Sequence, residues 1–388
     1  MKRIELLLLA ATSFAVPACS NSVNQTGGGD DDSGSATGDE WDQALASRVV
    51  DYPAALRAAA LRLTGDLPTV AETNSVNSAA DDAGKKAAYE ALITQYLGRP
   101  TFATQIFEFW QNTMKQGDTP AFDSAPALAA QITVNNLSYM NLFTQNSNTN
   151  VTFDPATSTF TAAAPANGGP VAGVLTDPGV MTQYFSNFAF RRVRWIQEVW
   201  DCARFPAEVN PNGGVDVGGA SLFTGVWPFT SISGSVSKTG RVNFQDTSAV
   251  ICANCHTTIN HIAPLFAFYD MNGLYNATTM QVPTPLPKNP LAVLSDYLPA
   301  GETTAWRYQK PAADIPALGA QMAQDPAVAA CGVARIWNWA LGKTDITDTL
   351  QIVPTETIQT QLDAFTAGGF KMKDLVFAVF TSDDFVKF

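Results

Sequence analysis

Histidine occurs only twice in 388 residues, and cysteine only five times. So small a stock of soft ligands leaves little for a structural zinc site, which takes four Cys or His side chains close together. Charged residues make up only 15%, and the formal net charge is −12. Nucleic acid is therefore not an expected partner, because phosphate binding needs clustered Lys and Arg. No apolar run is long enough to cross a membrane as a helix. The P-loop, G-x-G-x-x-G, G-x-S-x-G and H-E-x-x-H patterns are all missing, which argues against nucleotide binding and the common hydrolase chemistries. There is no internal repeat.

Hydrophobic residues make up 46%, enough to build a core, and the length suggests two or three packed units. The 27 Gly and 23 Pro, with the low charge, fit a loop-rich extracytoplasmic protein.

The start of the chain reads as an export signal. Lys2 and Arg3 precede a short apolar stretch, Leu6 to Val16, that ends at Val16-Pro17-Ala18-Cys19. This is similar to a lipobox, although Leu is usual where Val16 stands and Glu5 sits early in the run. Residues 1–18 are then the leader, and Cys19 carries the lipid that anchors the chain to a membrane. The alternative is an ordinary cleaved signal with a stray Cys. Ser20 after the cysteine leans toward the outer membrane. Residues 19–42 are rich in Ser, Gly, Asn and Asp and read as a disordered tether.

Beyond the tether the patterning predicts a mainly α protein: helical modules joined by long irregular loops. Apolar residues recur at helical spacing over Ala44–Leu63, Lys85–Leu97 and Thr101–Met114, with Phe102, Ile106, Phe109 and Trp110 the clearest stripe. Leu67-Pro68 breaks the pattern between the first two. Asn146 to Pro178 reads as a long loop with a short hairpin, Phe185–Cys202 as a helix, and Pro283–Pro311 as non-helical. Asp325-Pro326 begins a helix that Gly342 caps, and Ile358, Leu362, Phe365 and then Leu375, Val376, Val379, Phe380 mark two more. These breaks divide the folded part into an N-terminal helical module (43–125), a central module (126–310) and a C-terminal helical module (311–388).

The central module holds Cys252-Ala253-Asn254-Cys255-His256, a C-x-x-C-H run. Two cysteines three apart on a helical turn can each form a thioether to one vinyl group of a single haem, and the adjacent His can bind the iron as proximal ligand. Such attachment is made outside the cytoplasm, so the export signal and the motif support each other. The competing readings are a redox C-x-x-C, which has no need of His256, and half a zinc site, for which His261 lies too close to complete a pattern.

The run from Cys252 to Tyr275 resembles a group of planctomycete-type cytochrome-like domains of unknown function. These have C-x-x-C-H, an Ile-containing turn, and an apolar run ending in Phe-Asp-x-x-Gly-aromatic. Ile259, Tyr269-Asp270, Gly273 and Tyr275 match in register, while His261 stands where that group has Pro. Similar stretches surround it: Leu61–Thr69 and Tyr89–Trp110 upstream, Arg191–Glu198 with Cys202, Ala330–Lys343 with Cys331, and Ser382–Phe385 at the end. The resemblance implies a cytochrome-c-like haem region and little about physiological role. Cys202 and Cys331, left over by haem and lipid, either pair or stay buried thiols; the resemblance, with Cys at both positions, implies the disulfide.

Several further residues are candidates around a haem. Methionine is the usual second axial ligand of a carrier, and Met280, in a loop just before Val282-Pro283, ranks first, against the commoner role of filling the core. Met322, Met114, Met140 and Met181 rank lower. His261, five residues after His256, is expected on the surface or in a hydrogen bond rather than on the iron. Arg191, Arg192 and Arg194 could meet the haem propionates, with a solvated face the simpler reading for at least two of them. The whole then reads as an envelope-anchored lipoprotein that passes single electrons through one haem c to an unidentified redox partner protein. The alternatives are a haem enzyme or sensor with an open distal site, peroxidase-like in character, and a surface-binding lipoprotein with a structural haem.

Overall fold

The computed structural model describes residues 40–388, except 118, 204–214, 217–221, 224–234, 237–241, 244–249, 285–287, 308–309 and 344–352. Side chains are described from residue 43 on, apart from those of the short strands between 215 and 243 and of residues 250–257. The expected leader, Cys19 and most of the tether thus lie outside the described residues.

Helix α1 (Glu40–Ala46) belongs to the unit Met1–Arg48, and everything from Val49 onward forms a second unit. In that second unit Asp51 starts α2 (Tyr52–Thr64), its carboxylate accepting the Ala54 N–H at 2.9 Å with Pro53 just inside. The cap and the proline explain why the apolar stretch 44–63 is not one helix. After the Leu67-Pro68 break comes a helix absent from the sequence reading, α3 (Val70–Asn77). Thr69 and Glu72 cap it reciprocally: the Glu72 N–H donates to Thr69 Oγ1 at 3.2 Å, and the Thr69 N–H donates to the Glu72 carboxylate at 2.7 Å. Helices α4 (Asp82–Leu97) and α5 (Pro100–Met114) follow, and Phe102, Ile106, Phe109 and Trp110 of α5 are buried as expected. Helix α6 (Ser124–Val134) hides nine of its eleven residues, which makes it the central helix of this part. A short turn, α7 (Asn141–Thr144), leads into the Thr- and Asn-rich stretch.

That stretch contains a real hairpin, β1 (Asn150–Asp154) with β2 (Thr159–Ala163). Then come α8 (Pro178–Gln183), a 3₁₀ turn at Asn187–Ala189 and α9 (Phe190–Trp200). Two-residue pairs β3 (Val215–Asp216) with β4 (Leu222–Phe223) and β5 (Ser235–Val236) with β6 (Val242–Asn243) precede α10 (Val250–Phe266). A last small hairpin, β7 (Ala305–Trp306) with β8 (Lys310–Pro311), precedes α11 (Ile315–Met322) and α12 (Pro326–Ala340). Helices α13 (Thr355–Ala367), α14 (Met372–Phe380) and α15 (Asp383–Val386) close the chain. The protein is mainly α, 57% helix with only short strands.

The two ends of this unit share a core. Helix α14 packs against α4 and α6, and α15 against α2. Val49 and Phe388 exchange backbone hydrogen bonds at 3.0 and 2.9 Å. At the centre Trp110, Tyr139, Phe143 and Trp200 pack together, Phe143 edge to face against Tyr139 and Trp200, with Trp110 and Trp200 centroids 5.8 Å apart. The Trp110 indole N–H donates to Thr133 Oγ1 at 3.1 Å, so the ring's one polar atom is satisfied.

Cys202, just after α9, is bonded to Cys331 of α12, their Cα atoms 5.4 Å apart. Arg335, one turn along α12, donates from Nε to the Val199 carbonyl at 2.9 Å and from Nη2 to the Glu198 carbonyl at 2.6 Å. The bridge and the guanidinium thus fasten the C-terminal end of α9 to the same helix. Because the bridge closes a loop of sequence separation 129, replacing both cysteines with Ala is expected to cost about 2–4 kcal/mol in a denaturant titration. Intact-mass measurement after alkylation should find both thiols protected until reductant is added; modification without reductant would count against the bridge.

Candidate functional site

The C-x-x-C-H run occupies the first two turns of α10, and the backbone is helical throughout it. Helical periodicity therefore puts positions 252, 255 and 256 on one stripe, which continues through 259, 263 and 266. The side chains of Cys252, Cys255 and His256 lie outside the described residues. The stripe they begin is apolar and buried where it is described: Ile259 is 5% exposed, and Ala263 and Phe266 are fully covered. A helical C-x-x-C-H opening onto a buried apolar stripe is a donor set that fits a haem held by two thioethers and one imidazole.

The second half of α10 is locked in place. Every residue from Thr258 to Ala267 is buried, with α9, the 187–189 turn and β7 packed around it. Its C-terminal end is gripped by Arg192 of α9, which is fully buried. Nη1 donates to the Phe266 carbonyl at 2.7 Å and to the Tyr269 carbonyl at 2.9 Å, and Nη2 to the Asp270 carbonyl at 2.9 Å. Nε donates to the Met181 carbonyl at 3.0 Å, and Nη2 also bonds that oxygen. The cation so sits where the C-terminal carbonyls of α8 and α10 converge, the end of a helix that favours positive charge. Burial pulls its pKa down to about 10, which still leaves it charged at neutral pH. A solvated face for two of the three arginines is what the structure has; Arg192 is the third, buried and engaged with carbonyls rather than free for a propionate. Arg191 and Arg194 are exposed, and Arg194 pairs with Glu198 at 2.8 Å.

Asp177 caps α8 beside this junction, with Oδ1 accepting the Val180 N–H at 3.0 Å. It is 2% exposed. Burial outweighs the hydrogen bonds from Val180, Ser124 and Gly179 and raises its pKa from 3.8 to about 6. The folded state therefore holds this proton more tightly than the unfolded chain. Its stabilising contribution is full below pH 4 and disappears as pH climbs through about 6, a change of about 3 kcal/mol. Asp177→Asn keeps the capping oxygen and removes the titration. The wild-type stability curve should fall relative to the variant's across that window; parallel curves would refute the assignment.

The stretch after α10 folds back tightly. Asp270 Oδ1 accepts the N–H groups of Asn272 and Leu274, both at 2.8 Å, and the Asp270 N–H donates to the Leu274 carbonyl at 2.9 Å. Gly273 has φ +74°, and a Cβ there would lie 2.7 Å from the Pro178 carbonyl oxygen. Tyr269 and Tyr275 pair across the turn, their rings 5.0 Å apart. The Tyr-Asp-x-x-Gly-x-Tyr run is thus a turn that returns the chain to α8 and α10.

His261 is 2% exposed, and its Nε2 lies 2.9 Å from Glu302 Oε2. The histidine is hydrogen-bonded and interior, not on the surface. Nothing local in the sequence links positions 261 and 302, so Glu302 was missed. Met280 is 7% exposed, and the N–H of its neighbour Gln281 donates to the Ala267 carbonyl at 2.7 Å, just past the end of α10. Among the described residues, no three or more His, Cys, Asp or Glu side chains gather as a metal cluster, and no helix is long and apolar enough to cross a membrane. In comparisons with known proteins, no family model, no curated protein and no solved structure matches the chain.

Proposed function

We propose that the protein is an envelope-anchored c-type cytochrome lipoprotein that transfers single electrons through one haem, covalently held by Cys252 and Cys255 with His256 as proximal ligand. The observation that carries the reading is the C-x-x-C-H run on the opening turns of a helix whose other half is immobilised. The Cys202–Cys331 bond supports export, since disulfides persist in oxidising compartments. The resemblance to planctomycete-type cytochrome-like domains supports the haem and leaves the redox partner open. When bound, the haem supplies a one-electron couple whose potential follows axial ligation and burial. The chain's own part would be to hold it: Cys252 and Cys255 would supply the attachment and His256 the ligand, while Arg192 and the packed half of α10 fix the helix that carries them.

A second reading, an open distal site belonging to a haem enzyme or sensor, draws on the place of Met280. Its neighbour is tied to residue 267, about 16 Å along the helix axis from residue 256. Its own side chain is buried within the core. Reduced-minus-oxidised spectra with and without carbon monoxide separate the two readings. A carrier cycles reversibly, is low-spin and does not bind carbon monoxide. In that case Met280→Ala turns it high-spin and lowers the potential, and unchanged spectra remove Met280 as the ligand. Rapid carbon monoxide binding by the wild type moves the assignment to the open site.

A further inference from the structure

We infer that a row of aromatic side chains through the core, on residues the haem reading does not use, is a relay that carries one-electron oxidising equivalents from Trp339 of α12 to Tyr184, just after α8. The Tyr184 and Trp195 ring centroids lie 5.7 Å apart, those of Trp195 and Trp200 5.7 Å, and those of Trp200 and Trp110 5.8 Å. Phe109 lies beside Trp110 on one side and Trp339 on the other, with 5.1 Å between centroids in each case. Electron tunnelling falls off exponentially with distance, so several short hops between oxidisable rings outpace one long one. Phenylalanine resists oxidation and serves here only as the bridge between two indoles. The ends of the row, Tyr184 and Trp339, are partly exposed, while Trp195, Trp200 and Trp110 are buried.

Packing alone does not account for the row. The Trp200 indole N–H is buried and has no hydrogen-bond partner among the described residues. A buried tryptophan ordinarily finds an acceptor, and Phe would fill a core without stranding a donor. The missing acceptor has a redox consequence. An oxidised indole becomes a strong acid, and losing its proton traps the vacancy where it stands. Trp200 has nothing to take that proton, so the vacancy moves on. Trp110 and Trp195 donate to a hydroxyl and a carbonyl, neither of them a base strong enough to take it. Tyr139 lies beside Trp110 and Trp200, at 6.5 and 6.3 Å, and is no trap either. A phenol is oxidised as it sheds its proton, and the buried Tyr139 hydroxyl lacks an acceptor among the described residues. Tyr184 differs: its hydroxyl donates to the Met114 carbonyl at 2.7 Å, and the residue is partly open to water.

A one-electron radical oxidant at the surface takes one electron from Trp339. Electrons then pass from Trp110 to Trp339, from Trp200 to Trp110, from Trp195 to Trp200 and from Tyr184 to Trp195, so each indole ends as it began. Tyr184 gives its phenolic proton to water and is left as a neutral phenoxyl radical. A small one-electron donor of the enediol class returns one electron and one proton and restores the tyrosine. At neutral pH a tyrosine that can lose its proton is easier to oxidise than a tryptophan, which sets the direction.

Flash photolysis of the purified protein tests this, and because it reads aromatic radicals it does so whether or not haem is attached. Glu108 is exposed and lines the same cleft as Trp339. Glu108→His takes a ruthenium polypyridyl photo-oxidant in a chain with only two other histidines, of which His261 is buried. With an electron-accepting quencher present, a flash should give an indolyl-radical absorbance that decays as a phenoxyl absorbance grows. A nitroso spin trap should leave its adduct on Tyr184 in peptide mass spectra. Trp200→Phe keeps an aromatic ring but not an oxidisable one, so the indolyl signal should remain and the Tyr184 adduct should be lost. Tyr184→Phe should remove the phenoxyl signal and prolong the indolyl one. If Trp200→Phe misfolds, Trp339→Phe at the partly exposed end decides, and it too should lose the adduct. The inference fails if either tryptophan variant, when folded, leaves the Tyr184 adduct unchanged, if other tyrosines take the adduct and Tyr184 does not, or if no indolyl signal precedes the phenoxyl one.

Discussion

Protein produced together with a cytochrome c maturation system is expected to keep its haem through a denaturing gel and to stain for peroxidase activity. Cys252→Ala combined with Cys255→Ala is expected to abolish that stain. The effect is all-or-none because a thioether survives denaturant, whereas an iron–imidazole bond alone does not. The helical backbone at the motif sets the two cysteines one turn apart, the spacing at which both can reach one porphyrin edge. The double variant should still fold. The packing around Thr258–Ala267 and the Cys202–Cys331 bond lies beyond the motif. Its intact mass should therefore show Cys202 and Cys331 still protected. Unstained wild-type protein with that bridge in place would reject covalent haem and with it the cytochrome assignment. A redox or metal-binding role for the C-x-x-C pair would then be the next reading to test.

How far the sequence reaches depends on whether the cause of a feature is local. Helix α5 was legible from its apolar stripe and α12 from its cap: Asp325 accepts the Ala327 N–H at 3.1 Å, with Pro326 just inside the helix. Helix α3 carried its own signature, Thr69 with Glu72 three residues on, and was overlooked because it buries only Val76 and so shows no apolar stripe. Helix α6 was invisible for the opposite reason. It is buried on every side, so Ala, Leu and Ile follow one another without a period. In the candidate site the motif is legible because C-x-x-C-H is a local pattern, complete within five consecutive residues. The surroundings were not. Arg192 reads as one of three basic residues on a helix, and only the fold shows that it faces inward onto carbonyls from residues 181, 266, 269 and 270. The same holds for the burial of Arg307, which pairs with Asp325 at 3.0 Å and, across 106 residues of sequence, with Asp201 at 2.9 Å.

Replacing Arg192 with Met is expected to cost about 3–5 kcal/mol of stability, the range for removing one side of a buried charge-assisted network. The cost comes from what is left behind. The Met181, Phe266, Tyr269 and Asp270 carbonyls each accept from this guanidinium, and an apolar side chain would leave them buried without that donor. Arg192→Lys should cost less than Met but well over 1 kcal/mol. An ammonium carries its donors on one atom and cannot span four carbonyls as a planar fork does. Guanidinium denaturation of the two variants, read beside the wild type, gives the ranking. Hydrogen exchange then locates the damage: amides at the end of α10 and in the 267–275 turn should lose protection first, while those of α3 and α4, which pack on α2 and on each other, should not. Both variants keep Cys252, Cys255 and His256. The fraction that folds should therefore still stain for haem, which separates a helix loosened in its socket from a helix that has lost its attachment points. A loss below 1 kcal/mol in Arg192→Met, or protection unchanged at the end of α10, would mean that this arginine does not hold α10 in place.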